Sequence, residues 1–234
     1  MALSVTQFRY GPDNLAYVVF GASEALAVDG GAVQRILAFC KEKGLALRFA
    51  ANTHGHPDHT SGTAELAAEA GAEILSNPRL KKEGFVTVDG ERVRVISTPG
   101  HTMDSLCFLA ESFLLSGDTL FNATIGNCFS GDIAAFYRSV ATLMALPPET
   151  LVLAGHDYVE ESLAFAHHLE PGNPAIEAYE KKYDPRFVRS TIADELAVNP
   201  YFRFNQSSIM ALLKKRGLPV ETEFERFSSL MKVA

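Results

Sequence analysis

The first two thirds of the chain carry short apolar runs and alternating stretches broken by turn residues. Residues 15–20 and 25–28 are apolar segments of strand length, the second closed by Asp29-Gly30-Gly31. Residues 32–43 follow a helical period, with Val33, Ile36, Leu37 and Cys40 on one face and Gly44 placed to end the helix. Cys40 is then a small core residue. Residues 47–52 predict a strand that runs into the densest polar cluster of the sequence. Residues 60–70, rich in Ala, Glu and Leu, predict a helix that Gly71 terminates. Residues 86–98 alternate around Asp89-Gly90, a strong hairpin signal. Residues 106–110 and 113–116 read as buried strands, which makes Cys107 a packing residue. Residues 133–146 are helical up to Pro147-Pro148, and 151–154 form the last predicted strand.

Beyond residue 160 the strand pattern ends. Residues 162–169, 174–183, 192–198, 207–216 and 223–233 all read as helices, punctuated by Pro171-Gly172, Pro185, Asn199-Pro200 and Gly217-Leu218-Pro219. There is no internal repeat or low-complexity linker. The expected architecture is a strand-rich α/β domain over residues 1–160, followed by a small helical domain over 161–234.

Composition narrows the function classes. The chain has 234 residues, 47% hydrophobic and 21% charged, as soluble globular proteins do, and no apolar run approaches the ~18 residues that span a bilayer. The segment MALSVTQFRY has neither a basic start nor a long apolar core, so no secretory signal is expected. Three cysteines without C-x-x-C spacing argue against a disulfide framework and for a reducing, cytoplasmic setting. The net charge of −7 is confined to residues 1–160, which hold 11 Lys and Arg against 18 Asp and Glu. Residues 161–234 balance at 10 of each. Neither part has the basic face that nucleic acid requires. No membrane contact and no obligate protein partner are expected.

The acidic part also holds five of the seven histidines. Thr53-His54-Gly55-His56-Pro57-Asp58-His59 places four ligand-type side chains within six residues, and Gly55 and Pro57 suit a turning loop rather than a helix. A polar surface loop is the competing reading. Charged, however, the three imidazoles would repel one another; neutral and buried, they would need many partners. A cation resolves both, since imidazole nitrogen and carboxylate oxygen are good ligands for zinc, iron or manganese. His101, Asp118 and His156 recur in the same way, each directly after a glycine at the end of a strand or turn. His167 and His168 fall in a helical pattern and are expected at the surface or in a domain contact.

The constellation His54, His56, Asp58, His59, His101, Asp118, His156 resembles the metallo-β-lactamase superfamily, which implies an αββα sandwich. GDTLF at 117–121, GHDY at 155–158, LEPGNPAI at 169–176 and NPYFR at 199–203 are similar to the glyoxalase II (hydroxyacylglutathione hydrolase) family, including its helical C-terminal domain. The resemblance implies one metal held by His54, His56 and His101, and a second held by Asp58, His59 and His156. Asp118 would bridge the two. It further implies two divalent ions, zinc above all with iron or manganese as alternatives. A water between them would act on a thioester such as S-lactoylglutathione, releasing the hydroxy acid and the free thiol. Asp58 would orient that water or accept its proton. The second function class is a mononuclear iron persulfide dioxygenase on the same scaffold, to be separated by metal content and oxygen consumption.

The family's thiol-binding residues match less well. Aligning Gly126 and Gly131 with the loop after GDTLF puts Asn127 where the family has Lys and Phe129 where it has Tyr; Tyr158 retains an aromatic hydroxyl. The C-terminal pair of basic residues is reduced to Arg226, with Lys214, Lys215 and Arg216 as a cluster that equally suits a solvated helix end. Cys128 lies in the same loop as Asn127. The resemblance therefore carries the reaction further than it carries the thiol carrier.

Overall fold

The computed structural model describes residues 2–233. The chain opens with two strands that pair antiparallel, β1 (Ser4–Tyr10) and β2 (Asn14–Phe20), then β3 (Glu24–Val28). Helix α1 (Val33–Lys43) carries the chain to β4 (Ala46–Ala51), parallel to β3. Gly44 ends α1 in the left-handed conformation at φ 67°, where a side chain would be strained. After β4 come a single turn α2 (Pro57–Thr60), helix α3 (Thr63–Ala70) and the short β5 (Glu73–Leu75), which completes a five-stranded sheet in the order β1-β2-β3-β4-β5.

Helix α4 (Asn77–Glu83) leads into a second sheet. Its strands β6 (Phe85–Val88), β7 (Glu91–Ser97), β8 (Leu106–Ala110) and β9 (Phe113–Gly117) form an antiparallel meander. A two-stranded ribbon, β10 (Leu120–Phe121) and β11 (Thr124–Ile125), and helix α5 (Ile133–Met144) precede β12 (Leu151–Ala154), which pairs parallel with β9. Then follow α6 (Val159–Leu169), α7 (Pro174–Glu180), β13 (Ser190–Thr191), α8 (Ile192–Val198), α9 (Ser207–Lys215) and α10 (Glu223–Leu230).

The period-2 alternation of the strands sorts their side chains into layers. Tyr17, Val19, Leu26 and Val28 of the first sheet meet Val93, Val95, Phe108 and Leu115 of the second in a core between the sheets. The alternate positions Ala16, Val18, Ala25 and Ala27 face outward and are covered by Val33, Ile36 and Cys40 of α1 and Leu66 of α3. On the other side Ile96, Cys107, Leu114 and Val152 are covered by Phe136, Val140 and Leu143 of α5. The result is a helix–sheet–sheet–helix sandwich, with both expected packing cysteines in place. Phe227 and Leu230 of α10 and Leu213 of α9 join this last cluster, while Ile176, Tyr179 and Val198 join the core between the sheets. The C-terminal helices thus share the sandwich's apolar clusters.

Three sequence expectations need correction. Strands do not end at residue 154, because Ser190 and Thr191 pair antiparallel with Val152 and Leu151. The helix over 60–70 is broken at Gly62, where a Cβ would stand 2.5 Å from the Gly30 carbonyl oxygen, so two turns of backbone pack too closely for any other residue. The segment around Pro57 is a helical turn rather than an open loop; Pro at its first position suits the missing N–H.

Candidate metal centre

The ligand-type residues stand at strand ends on one rim of the sandwich. β4 delivers Thr53, His54 and His56, and the α2 turn adds Asp58 and His59. His101 lies between β7 and β8, Asp118 directly after β9, and His156 directly after β12. The two sheets are stitched together here: Leu15 N–H donates to the Gly155 carbonyl at 2.8 Å and Leu106 N–H to the Thr53 carbonyl at 2.8 Å. A Cβ on Gly155 would lie 2.2 Å from Asp118 Oδ1, so only glycine lets this strand end pass the carboxylate.

All seven residues come together. One ligand atom from each of His54, His56, His101 and Asp118 lies within 4.8 Å of the others, and the same holds for Asp58, His59 and His156. Asp118 stands between the groups, with Oδ2 3.5 Å from His101 Nε2 and 3.5 Å from His156 Nε2, and Oδ1 3.3 Å from His59 Nε2. Asp58 Oδ2 is 3.3 Å from His156 Nε2 and 3.5 Å from His59 Nε2.

The ring orientations explain what this space can hold. The outward nitrogen of four histidines faces an oxygen: His101 Nδ1 the Asn127 carbonyl at 2.9 Å, His156 Nδ1 the Asp13 carboxylate at 2.8 Å, and His59 Nδ1 the Asp29 carboxylate at 3.0 Å. His54 Nδ1 faces Thr53 Oγ1 at 3.1 Å, whose own proton is donated to Asp29. Carbonyl and carboxylate oxygens only accept, so these Nδ1 atoms carry the protons and Nε2 lone pairs point inward. There they converge on one another, His59 Nε2 at 3.1 Å from His156 Nε2 and both His54 Nε2 and His101 Nε2 within about 3 Å of His56 Nδ1. Asp118 Oδ1 is buried and lacks any hydrogen-bond partner. Facing lone pairs beside an unpartnered buried carboxylate oxygen repel unless a cation lies between them, so the donor set fits metal ions.

The electrostatics agree. Burial, and then the neighbouring His59, push the His54 ring down to about 4. Burial acts in the same direction on His59, but the carboxylates of Asp29 and Asp118 outweigh it and carry that ring up to about 11. A field that favours a proton on His59 Nε2 favours a metal cation at the same atom. Burial would raise Asp118, yet the imidazoles around it, His59 foremost, bring it to about 2. For Asp58 burial is likewise outweighed, first by the Asn14 amide that donates to Oδ2 at 3.0 Å, and its carboxyl lies below the usual range.

The remaining residues singled out by sequence surround this centre. Phe129, 66% exposed, stands edge-on to the His56 and His101 rings at 5.6 and 5.2 Å. Tyr158 stacks parallel on His156 at 4.9 Å, and Asn127 shares an adjoining cavity with it. Cys128 is half-buried and packs on the cluster under α5. His167 and His168 are exposed on α6, outside both ligand groups.

Sequence reading missed the supports. Asp29 appeared only as a turn residue, yet it is 1% exposed and accepts from Thr53 N–H, Thr53 Oγ1–H and His59 Nδ1–H. Its signal was an Asp at the end of an apolar strand, held at φ 59°, a conformation that Asp tolerates better than most residues. Asp13 in the turn between β1 and β2, and Asn14 at the start of β2, gave no comparable signal.

Residues 78–156 match the metallo-beta-lactamase superfamily, and residues 157–232 match the hydroxyacylglutathione hydrolase C-terminus. The hydroxyacylglutathione hydrolase of Idiomarina loihiensis is 34% identical over 86% of this chain and 86% of its own length. That of a Polaromonas species is 37% identical over 82% of this chain and 81% of its own. Among solved structures, ETHE1 from Myxococcus xanthus superposes with a TM-score of 0.71 at 23% identity, covering 99% of this chain and 90% of that one, a likeness of fold. The chain belongs to the hydroxyacylglutathione hydrolase family of the metallo-β-lactamase superfamily.

Proposed function

We propose that this chain hydrolyses a hydroxyacyl thioester, of the S-lactoylglutathione type, with two divalent metal ions held by the seven clustered residues. His54, His56 and His101 would hold one ion, Asp58, His59 and His156 the other, with Asp118 shared. Zinc is the ion that a nitrogen-rich set with two carboxylates suits best, iron and manganese being the alternatives. The observation that carries the reading is the convergence of inward-facing imidazole nitrogens on the partnerless Asp118 Oδ1. The relatives' shared designation as hydroxyacylglutathione hydrolases supports the substrate class.

When bound, such a pair of cations lowers the pKa of a water from ~15.7 towards neutrality and polarises a carbonyl oxygen. The chain's own residues do the rest. Asp58, with its side chain 47% exposed, faces solvent on one side and His156 on the other, which suits it to orient the attacking water and accept its proton. Asn14 fixes that carboxylate through Oδ2. Water adds its oxygen to the acyl carbon, the C–S bond breaks, and the sulfur departs as a thiolate. A thiol of pKa ~8.5 leaves without a dedicated acid. Phe129 and Tyr158, set against the ligand rings, form apolar edges for the substrate. Among the described residues no helix is long and apolar enough to cross a membrane, and three free cysteines suit a reducing cytoplasmic setting.

The test is elemental analysis of protein purified without chelator, alongside thiol release from S-lactoylglutathione. About two ions per chain and thioester cleavage are expected. One iron per chain, with oxygen uptake in the presence of a persulfide and no thioester cleavage, would select the dioxygenase class instead.

A further inference from the structure

Beside the metal centre lies a cavity of about 290 Å³, formed by the β10–β11 ribbon, α6 and the C-terminal chain. Two of its lining residues touch ligand-type histidines. Tyr158 lines it and stacks on His156, and Asn127 lines it while its carbonyl fixes His101. A thioester whose acyl carbon sits at the centre has this space for its thiol half.

The chemistry of the walls is unusual for a site that would grip an anion. No Lys or Arg lines the cavity; its one ionisable side chain, apart from the tyrosines, is the Glu161 carboxylate. Phe121, Phe165 and Met231 supply apolar surface. Its neutral donors are Asn127, the Thr124 and Ser162 hydroxyls, of which Ser162 already donates to the Tyr158 carbonyl, and two phenols. Tyr201 is only 4% exposed, lines the cavity, and its hydroxyl has no hydrogen-bond partner among the described residues. Its hydroxyl can donate to a ligand oxygen in that cavity, such as an amide carbonyl.

The nearby cations do not compensate. Arg226 is engaged with its own surroundings, donating to Asn205 Oδ1 and to the carbonyls of Val220 and Glu221. Lys214, Lys215 and Arg216 are exposed at the end of α9 and line no part of the cavity. Lys232 follows Met231 but is itself exposed and absent from the walls. A carboxylate brought into this space would lose hydration, gain no cation and face Glu161.

Accepting the thioester hydrolysis proposed above, we propose that the cavity selects a thiol carrier that presents no carboxylate to it, an uncharged or cationic amide-bearing thiol, and that Glu161 turns anionic carriers away. Specificity is then set by a like-charge penalty as much as by contacts.

The test compares S-lactoylglutathione with its diethyl ester, which keeps the backbone and removes both carboxylates. The metal-replete wild type should show a KM at least ~10-fold lower for the ester with kcat within about threefold, a loss of uniform binding by the free acid. Glu161→Gln should narrow that KM ratio several-fold by improving the free acid, and salt should narrow it in the wild type by screening. The S-methyl thioethers of the same two carriers, titrated calorimetrically, should bind in the same order without turnover. A lower KM and tighter thioether binding for the free acid overturns the proposal, as does a ratio unmoved by Glu161→Gln. A Lys232→Ala variant that selectively raises the free-acid KM would likewise overturn it, by placing a cation in the path. Cleavage of both esters with the free acid preferred removes this proposal alone. Absence of cleavage of either removes the hydrolase reading, and the thioether titration then still decides the preference of the cavity.

Discussion

At the metal centre, four imidazoles are each braced from behind by an oxygen, and those oxygens are themselves fixed, as Asp29 is by Thr53. In the cavity next to it, Tyr158 is positioned by ring contacts and Tyr201 keeps a hydroxyl with no partner among the described residues. One region has its ring orientations fixed from behind by interactions within the chain; the other leaves hydrogen-bonding capacity for a ligand to complete. A preorganised centre tolerates little change, because four of its five ring orientations depend on a second residue. A less determined cavity can be re-specified by changing one charge, while the chemistry beside it is untouched.

Three substitutions probe that contrast, beginning with the largest effect. Asp118→Ala removes the carboxylate that faces both ligand groups, so turnover should fall on the order of 10³-fold or more, with loss of bound metal. Stopped-flow or steady-state kinetics paired with elemental analysis check it; retention of both ions and near-normal turnover would mean that the centre is not determined through Asp118. Asp29→Asn keeps the left-handed backbone and one acceptor but removes the charge behind His59. Chelator competition should show metal affinity about 10- to 100-fold weaker, as outer-sphere partners of ligands generally give. Unchanged affinity would show that the bracing is geometric only.

The smallest effect lies on the cavity side. Glu195 in α8 is fully buried and accepts from Ala123 N–H and Asn199 Nδ2, which secures the turn of the β10–β11 ribbon. Burial pushes its carboxyl from 4.5 up to about 7. The folded state therefore holds this proton more tightly than the unfolded one, so its contribution is full below about pH 4.5 and is lost as pH rises through about 7. Glu195→Gln lacks that slope. The melting temperature of the wild type should fall relative to the variant by a few degrees between pH 5 and pH 8, given ~2–4 °C per kcal/mol for a chain of this size. Parallel melting curves across that range would show that the two donors keep Glu195 ionised throughout.

The same division governs what could be read in the sequence. The His54–His59 cluster and the strand-end residues His101, Asp118 and His156 were legible because metal ligands need particular side chains at rigid strand ends, and both requirements leave local marks. The long strands and helices were legible from their periods. The edge strand β1 was not, since only Phe8 of its seven residues is buried and no clean alternation results. Nor was β13, whose two residues are too few to show a period. Asp29 was missed because a buried carboxylate and a turn residue look alike in one dimension. The cavity was illegible for a different reason: Phe121, Asn127, Tyr158, Tyr201 and Met231 come from distant stretches and meet only after α10 docks on the cluster that α5 covers.

Asp29 also ties the two halves of the centre to each other. Its Oδ2 receives both the His59 Nδ1 proton, on one side, and the Thr53 hydroxyl that steadies His54, on the other. Whatever draws His59 towards a first ion shifts the same oxygen that sets the pose of His54. Occupancy at one position is then thermodynamically linked to affinity at the other, and linkage is reciprocal. On the two-ion proposal, the ions should enter as a cooperative pair, giving a steeper loading curve than independent sites would, and the singly loaded protein should be a minor species.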